Sequence, residues 1–186
     1  MPIYIYILIA IVALIVLFLI IVAMQPPAFK VERSAMMSAP PQRVFEQVND
    51  FHNWDAWSPW AKIDPACKNS FEGAPAGTGS IFSWDGNKKV GAGRMTIIES
   101  RPAELVRINL EFLRPFKATN TTEFTFVPQG DKTLVKWNMF GDKNFISKAM
   151  CMFMNMDKCV GGDFEKGLAA MKSVAESSSA SQTVGV

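Results

Sequence analysis

Val106-Arg107-Ile108-Asn109-Leu110-Glu111-Phe112 alternates apolar and polar side chains without a break. That is the period of an extended strand with one dry and one wet face. The alternation returns downstream, with Phe124 and Phe126 set against Thr121, Glu123 and Thr125, then Val135, Trp137 and Met139 against Lys136 and Asn138. Turn signals at Gly73, Gly77-Thr78-Gly79, Asp85-Gly86-Asn87, Arg101-Pro102, Arg114-Pro115 and Gln129-Gly130-Asp131 cut this region into five or six consecutive strands. Strands linked by hairpins pair antiparallel. A sheet with one dry face requires a cover.

The cover lies at the C-terminal side. Lys143 to Glu176 reads as one long helix whose apolar stripe runs Ile146, Met150, Phe153, Val160, Phe164, Leu168 and Met171, with Gly161-Gly162 expected to loosen or kink it. Upstream, Phe29 to Ser38 reads as a strand. Ala39-Pro40-Pro41 then opens a helix through Arg43, Val44, Phe45 and Val48, with Ser38 as its cap. A second, broken helical stretch carries Trp54, Trp57 and Trp60, with Pro59 ending its first piece. The order is strand, two short helices, six strands and a long C-terminal helix gripped by a curved sheet, an α+β architecture.

Ahead of this domain, Ile3 to Met24 carries no charged side chain, and ~22 residues at 1.5 Å each make a helix of roughly 33 Å, long enough to cross a bilayer. It does not read as a cleavable signal. No Lys or Arg precedes it, the apolar run is too long, and Ala23-Met24-Gln25-Pro26-Pro27 is a poor cleavage site. Tyr4 and Tyr6 are expected at one interface, and Lys30 and Arg33 beyond the other end place the domain in the cytoplasm by the positive-inside tendency. The expected organisation is an anchor over residues 1–27, one domain over 28–176 and a disordered Ser-rich tail over 177–186. The net charge is +2 with both signs interspersed, so no basic stripe for nucleic acid is present. The three cysteines form no disulfide framework, and Cys151 and Cys159, about 12 Å apart along a helix, do not pair.

The element order, together with Trp57-Ser58-Pro59-Trp60 and the following Asp64-Pro65, Gly91-Ala92-Gly93, Arg114-Pro115-Phe116 and Phe164-Glu165-Lys166-Gly167-Leu168, resembles the START/polyketide-cyclase-like superfamily, also called SRPBCC. The resemblance covers Phe29 to Glu176 and is nearest to bacterial members with one N-terminal membrane span. It implies a helix-grip fold with an apolar cavity between sheet and long helix, and relatives that bind lipids, sterols, polyketides or plant hormones. It also implies a bacterial inner-membrane location. Fold alone assigns no activity.

Candidate chemistry is sparse. His52 is the only histidine, which removes multi-histidine zinc sites and leaves any general base resting on one residue; its plainer role is structural, and nothing brings Cys67 to it. The tryptophans at 54, 57 and 60 pack the short helices onto the sheet or line a cavity and offer N–H donors to a ligand. The run Met150 to Cys159 holds Met152, Met156 and Cys159 on one helical stripe, soft ligands that suit copper(I) as well as a deformable apolar wall. Gly77-Thr78-Gly79 and Gly91-Ala92-Gly93 lack a following helix and read as turns or bulges, not phosphate cradles. Asp55, Asp64, Asp85, Glu99 and Asp157 form no pair on one element. By phase with Met95 and Ile97, Glu99 is the best candidate for a carboxylate reaching the cavity, its plainer reading being a rim position in solvent.

These readings lead to three function classes. First is a membrane-tethered module binding a lipid-like or other small hydrophobic ligand, with Trp57, Trp60, Trp84, Met95, Ile108, Leu110, Phe124, Phe126, Trp137, Met139, Met150 and Phe153 as the wall, and no catalytic residue, metal or cofactor. Second is a cyclase, dehydratase or hydrolase, which needs a polar dyad in the cavity. Third is an interaction module whose cavity is vestigial and whose partner is another membrane protein.

Overall fold

The computed structural model describes residues 2–143, 145, 147–149 and 156–180, with the side chains of 156 and 178–180 outside that set. Helix α1 spans Ile3–Met24 and ends where Gln25 turns extended ahead of Pro26 and Pro27. Its side chains are largely exposed apart from buried Val22. By length and composition it can cross a membrane.

Strand β1 (Ala28–Met37) follows directly, then helix α2 (Pro41–Asn49) and a 3-10 helix over Phe51–Ala56. Pro40 occupies the cap position of α2, with no side-chain cap, and Pro41 opens the helix with its preset φ. Ser38 is thus not the cap; its backbone N–H donates instead to Glu176 Oε1 at 2.6 Å. The second helical stretch is shorter than the spacing of its tryptophans implies. Trp54 lies in the 3-10 helix, Trp57 at its end, and Trp60 in the turns beyond, so the helix stops before Pro59 is reached.

Six more strands follow: β2 (Lys68–Gly73), β3 (Ser80–Asp85), β4 (Ala92–Arg101), β5 (Leu105–Arg114), β6 (Ala118–Gln129) and β7 (Lys132–Asp142). All neighbours pair antiparallel in the order β1-β7-β6-β5-β4-β3-β2, so the first strand joins the last. Helix α3 (Met156–Ala180) lies along β1 on the inner face. It runs past Glu176 as far as Ala180, further than the sequence reading carries it. Its Phe164, Leu168 and Met171 are buried, whereas Ile146, Met150 and Phe153 of the expected stripe lie outside the described residues.

The inner faces match the predicted phase. Val106, Ile108, Phe124, Phe126, Val135 and Trp137 are buried in one cluster with Val44, Phe45, Val48 and Phe51 from the short helices. At its centre the Trp137 ring stacks on Phe164 at 3.9 Å and on Phe124 at 4.7 Å, and Trp57 meets its edge at 5.7 Å.

Arg33 shares the inner phase of β1 and is carried there by its partners on α3. Its guanidinium donates to Asp157 at 2.9 Å and Glu165 at 2.7 Å. The two acids raise the arginine pKa, and Arg33 in turn holds Asp157 below the usual carboxylate range. Gly161 makes room for this clamp, because a Cβ there would stand 2.1 Å from Arg33 Nη2. Helix α3 is continuous through Gly161-Gly162. A Cβ added at the neighbouring Gly162 would meet nothing within 4 Å. Gly162→Ala should therefore stabilise the fold by about 0.5–1 kcal/mol through helix propensity, while Gly161→Ala should destabilise it. Thermal unfolding of the two variants side by side checks the opposite signs.

Candidate functional site

The inner face is sealed at one end and relaxed at the other. Along β5 and its neighbours, Val106, Ile108, Ile97 and Phe124 are inaccessible, Leu110, Met95 and Met139 retain 9, 8 and 6% exposure, and Phe112, Trp84, Phe82 and Phe29 are only half-buried. Register puts the relaxed positions in a row two rungs deep: Phe29 pairs with Gly141, Gly141 with Asn120, Asn120 with Leu110, Leu110 with Met95 and Met95 with Phe82, and the neighbouring rung joins Phe112 to Gly93 and Gly93 to Trp84. This is the end at which β1 leaves α1. The clamp at Arg33 sets Asp157 of α3 beside β1 two rungs inward of Phe29.

Two glycines shape the row. At Gly93 a Cβ would meet the Trp84 ring at 2.4 Å, so the absent side chain lets the indole lie across the sheet against Phe112 and Phe82. At Gly141 it would meet Asn120 Oδ1 at 2.4 Å. Asn120 is 8% exposed on an otherwise apolar wall, and among the described residues its amide has no hydrogen-bond partner. Next to it, Thr122 Oγ1 accepts from Trp137 Nε1 at 2.9 Å and donates to Asn138 O at 2.9 Å. Asn120 and Thr122 share the phase of Phe124 and Phe126, and Arg33 that of Val31; a polar residue in a dry phase was the available signal for all three.

Most indole donors are committed within the protein. Trp54 Nε1 donates to Val48 O at 3.0 Å, Trp57 Nε1 to Gln47 O at 2.9 Å and Trp84 Nε1 to Val90 O at 3.3 Å. Trp60, half-buried with its edge on Trp137 and Phe164, is the tryptophan without such a partner among the described residues. The wall proposed from sequence thus divides. Trp57, Ile108, Phe124, Phe126 and Trp137 lie in the sealed part with half-buried Trp60 against it, Trp84, Met95, Leu110 and Met139 lie toward the relaxed end, and Met150 and Phe153 lie outside the described residues.

Glu99 does not face this wall. Ile97 pairs with Ile108 but Glu99 pairs with Arg107, so Ile98 is an extra residue on β4 and the alternation flips at the bulge. The Glu99 carboxylate lies on the outer face, bound by Arg107, which also contacts Glu123 at 2.9 Å and whose pKa these acids raise. His52 is exposed, its ring stacked on Phe71 at 4.1 Å and its Nδ1 2.7 Å from Asp50 Oδ1. Burial pushes the Cys67 thiol up, away from nucleophilic character. Of the copper(I) stripe, Cys159 is exposed and Met152 is outside the described residues, which contain no cluster of three or more His, Cys, Asp or Glu placed to hold a metal.

The arrangement is that of solved helix-grip structures. A protein of unknown function from Staphylococcus aureus superposes with a TM-score of 0.63 at 12% identity, over 83% of this chain and 98% of its own. A protein from Nitrosospira multiformis gives 0.58 at 19% identity, over 81 and 99%. The di-domain ARO/CYC StfQ of the steffimycin biosynthetic pathway gives 0.60 at 10% identity, over 83% of this chain and 53% of its own. At these identities the likeness shows the fold. A comparison with curated proteins finds no match. The family model described as polyketide cyclase / dehydrase and lipid transport matches residues 28–176, and the chain belongs to that family.

Proposed function

We propose that this is a single-pass membrane protein whose helix-grip domain takes up a lipid-like or other small hydrophobic molecule at the relaxed end of the sheet. The observation that carries the reading is the row of half-buried apolar side chains, Phe29, Phe82, Trp84 and Phe112, lying at the end of the sheet joined to α1. A tether of three residues, Gln25 to Pro27, would keep that row beside a reservoir of apolar ligand at high local concentration. Asn120, the polar group beside this wall, suits a ligand with a polar head. An enzymatic reading loses its dyad, since Glu99 faces outward and His52 is exposed.

Brominated acyl chains quench nearby indoles, which makes Trp84 a built-in reporter. Titrating the full-length protein in mild detergent with a dibromo fatty acid should quench saturably, and Trp84→Phe should remove a large part of the signal. Quenching that is unsaturable, or indifferent to Trp84, would count against this site.

A further inference from the structure

The end of the sheet joined to α1 differs from the opposite end in what it exposes. The β3–β4 turn (86–91), the β5–β6 turn (115–117) and the chain after β7 all converge there, because Asp85 and Arg114 both pair with Ala92, and Asp142 pairs with Ala28. Leu113, Phe116 and Phe145 project from it with 53, 54 and 49% of their surface exposed. Lys88, Lys89 and Lys117 are exposed between them, and Arg114 is engaged by Asp85. The far end carries Glu72, Glu104 and Asp131 interspersed with Arg101 and Lys132 at its turns, and Phe71, beside Glu72, is its exposed aromatic.

The apolar and basic surface is held close to the end of α1. The Lys143 N–H donates to Pro27 O at 2.6 Å, and Lys148 Nζ lies 3.5 Å from Ala23 O in the last turn of the helix. If α1 spans a bilayer, its last turn marks the headgroup level. Aromatic side chains are favoured there, and lysines gain from anionic headgroups.

We propose that this end of the domain docks on the surface of the membrane that α1 crosses, with Leu113, Phe116 and Phe145 entering the headgroup layer and Lys88, Lys89 and Lys117 set against anionic lipid phosphates. The proposal rests on the reading of α1 as a span. Docking would turn the relaxed row of the inner face toward the bilayer, so a ligand could pass between lipid and domain without crossing open water. Each lysine should contribute about fivefold to the docking equilibrium at low salt. High salt should weaken it.

Hydrogen–deuterium exchange of the full-length protein tests this in detergent, in phosphatidylcholine vesicles, and in vesicles that also contain phosphatidylglycerol. Residues 86–91 and 113–118 should exchange about tenfold more slowly in the anionic vesicles than in detergent. That protection should disappear in a Lys88→Glu, Lys89→Glu, Lys117→Glu variant and in Phe116→Ser, with thermal unfolding unchanged in both. Protection of residues 3–24 without any change at the turns would overturn docking and leave the span standing. Exchange-labile residues 3–24 in vesicles would overturn the span, and docking with it.

Discussion

Trp137→Ala is expected to lower the stability of the folded domain by about 3–5 kcal/mol, which at this size corresponds to a fall in Tm of roughly 10 °C. Trp137 is 2% exposed, and its ring joins three layers, stacking on Phe164 of α3 and Phe124 of β6 and meeting the edges of Trp57 and Trp60. No small set of neighbours can collapse into the space it leaves. Trp137→Phe keeps much of the packing and loses the bond to Thr122, so it should cost less. The helix side of the same joint is tested by Gly167→Ala. A Cβ there would stand 2.8 Å from the Trp137 ring and 3.1 Å from Pro59, and the ring is stacked on both sides and cannot yield. The substitution should destabilise although alanine is the better helix former by about 1 kcal/mol. Chemical denaturation of the full-length protein in mild detergent measures all three; a neutral Trp137→Ala would contradict the assigned core.

Met95→Trp is expected to weaken uptake of an apolar ligand by about tenfold or more, a change of ~1.4 kcal/mol. Met95 pairs with Leu110 and Phe82 where the inner face passes from buried to half-buried side chains, so a larger ring there would cover the surface proposed for the ligand. Its cost in stability should stay within about 1–3 kcal/mol, because the surrounding wall is not fully closed. Val127→Thr, on an exposed position near the opposite end, should leave uptake unchanged. The saturable indole quenching by a brominated acyl chain reads both variants, and equal affinities would place the ligand elsewhere.

The architecture was legible because sheet faces repeat every second residue. The phases of Val106 to Phe112, Phe124 to Phe126 and Val135 to Met139 each gave the buried face directly, and the structure keeps them. Legibility failed where a local event interrupts the period. One extra residue at Ile98 reverses the phase of β4 and sends Glu99 to the outer face; the consecutive Ile97-Ile98 is its only trace within β4. The glycines on α3 were hard to read for a related reason. Along the chain Gly161-Gly162 signals backbone freedom, whereas the structure adds that Gly161 and Gly167 leave room for side chains arriving from β1 and β7, far away in sequence. The Arg33 clamp belongs to the same class, since its acids lie at positions 157 and 165. For the candidate site, composition of the wall could be read, but how tightly it closes depends on packing between elements.

Native mass spectrometry of the full-length protein released from mild detergent, followed by solvent extraction of whatever it carries, tests the central claim most directly. The account predicts a stoichiometric apolar species that is diminished in Met95→Trp. A protein that emerges empty, and stays empty after incubation with a membrane lipid extract, would contradict it.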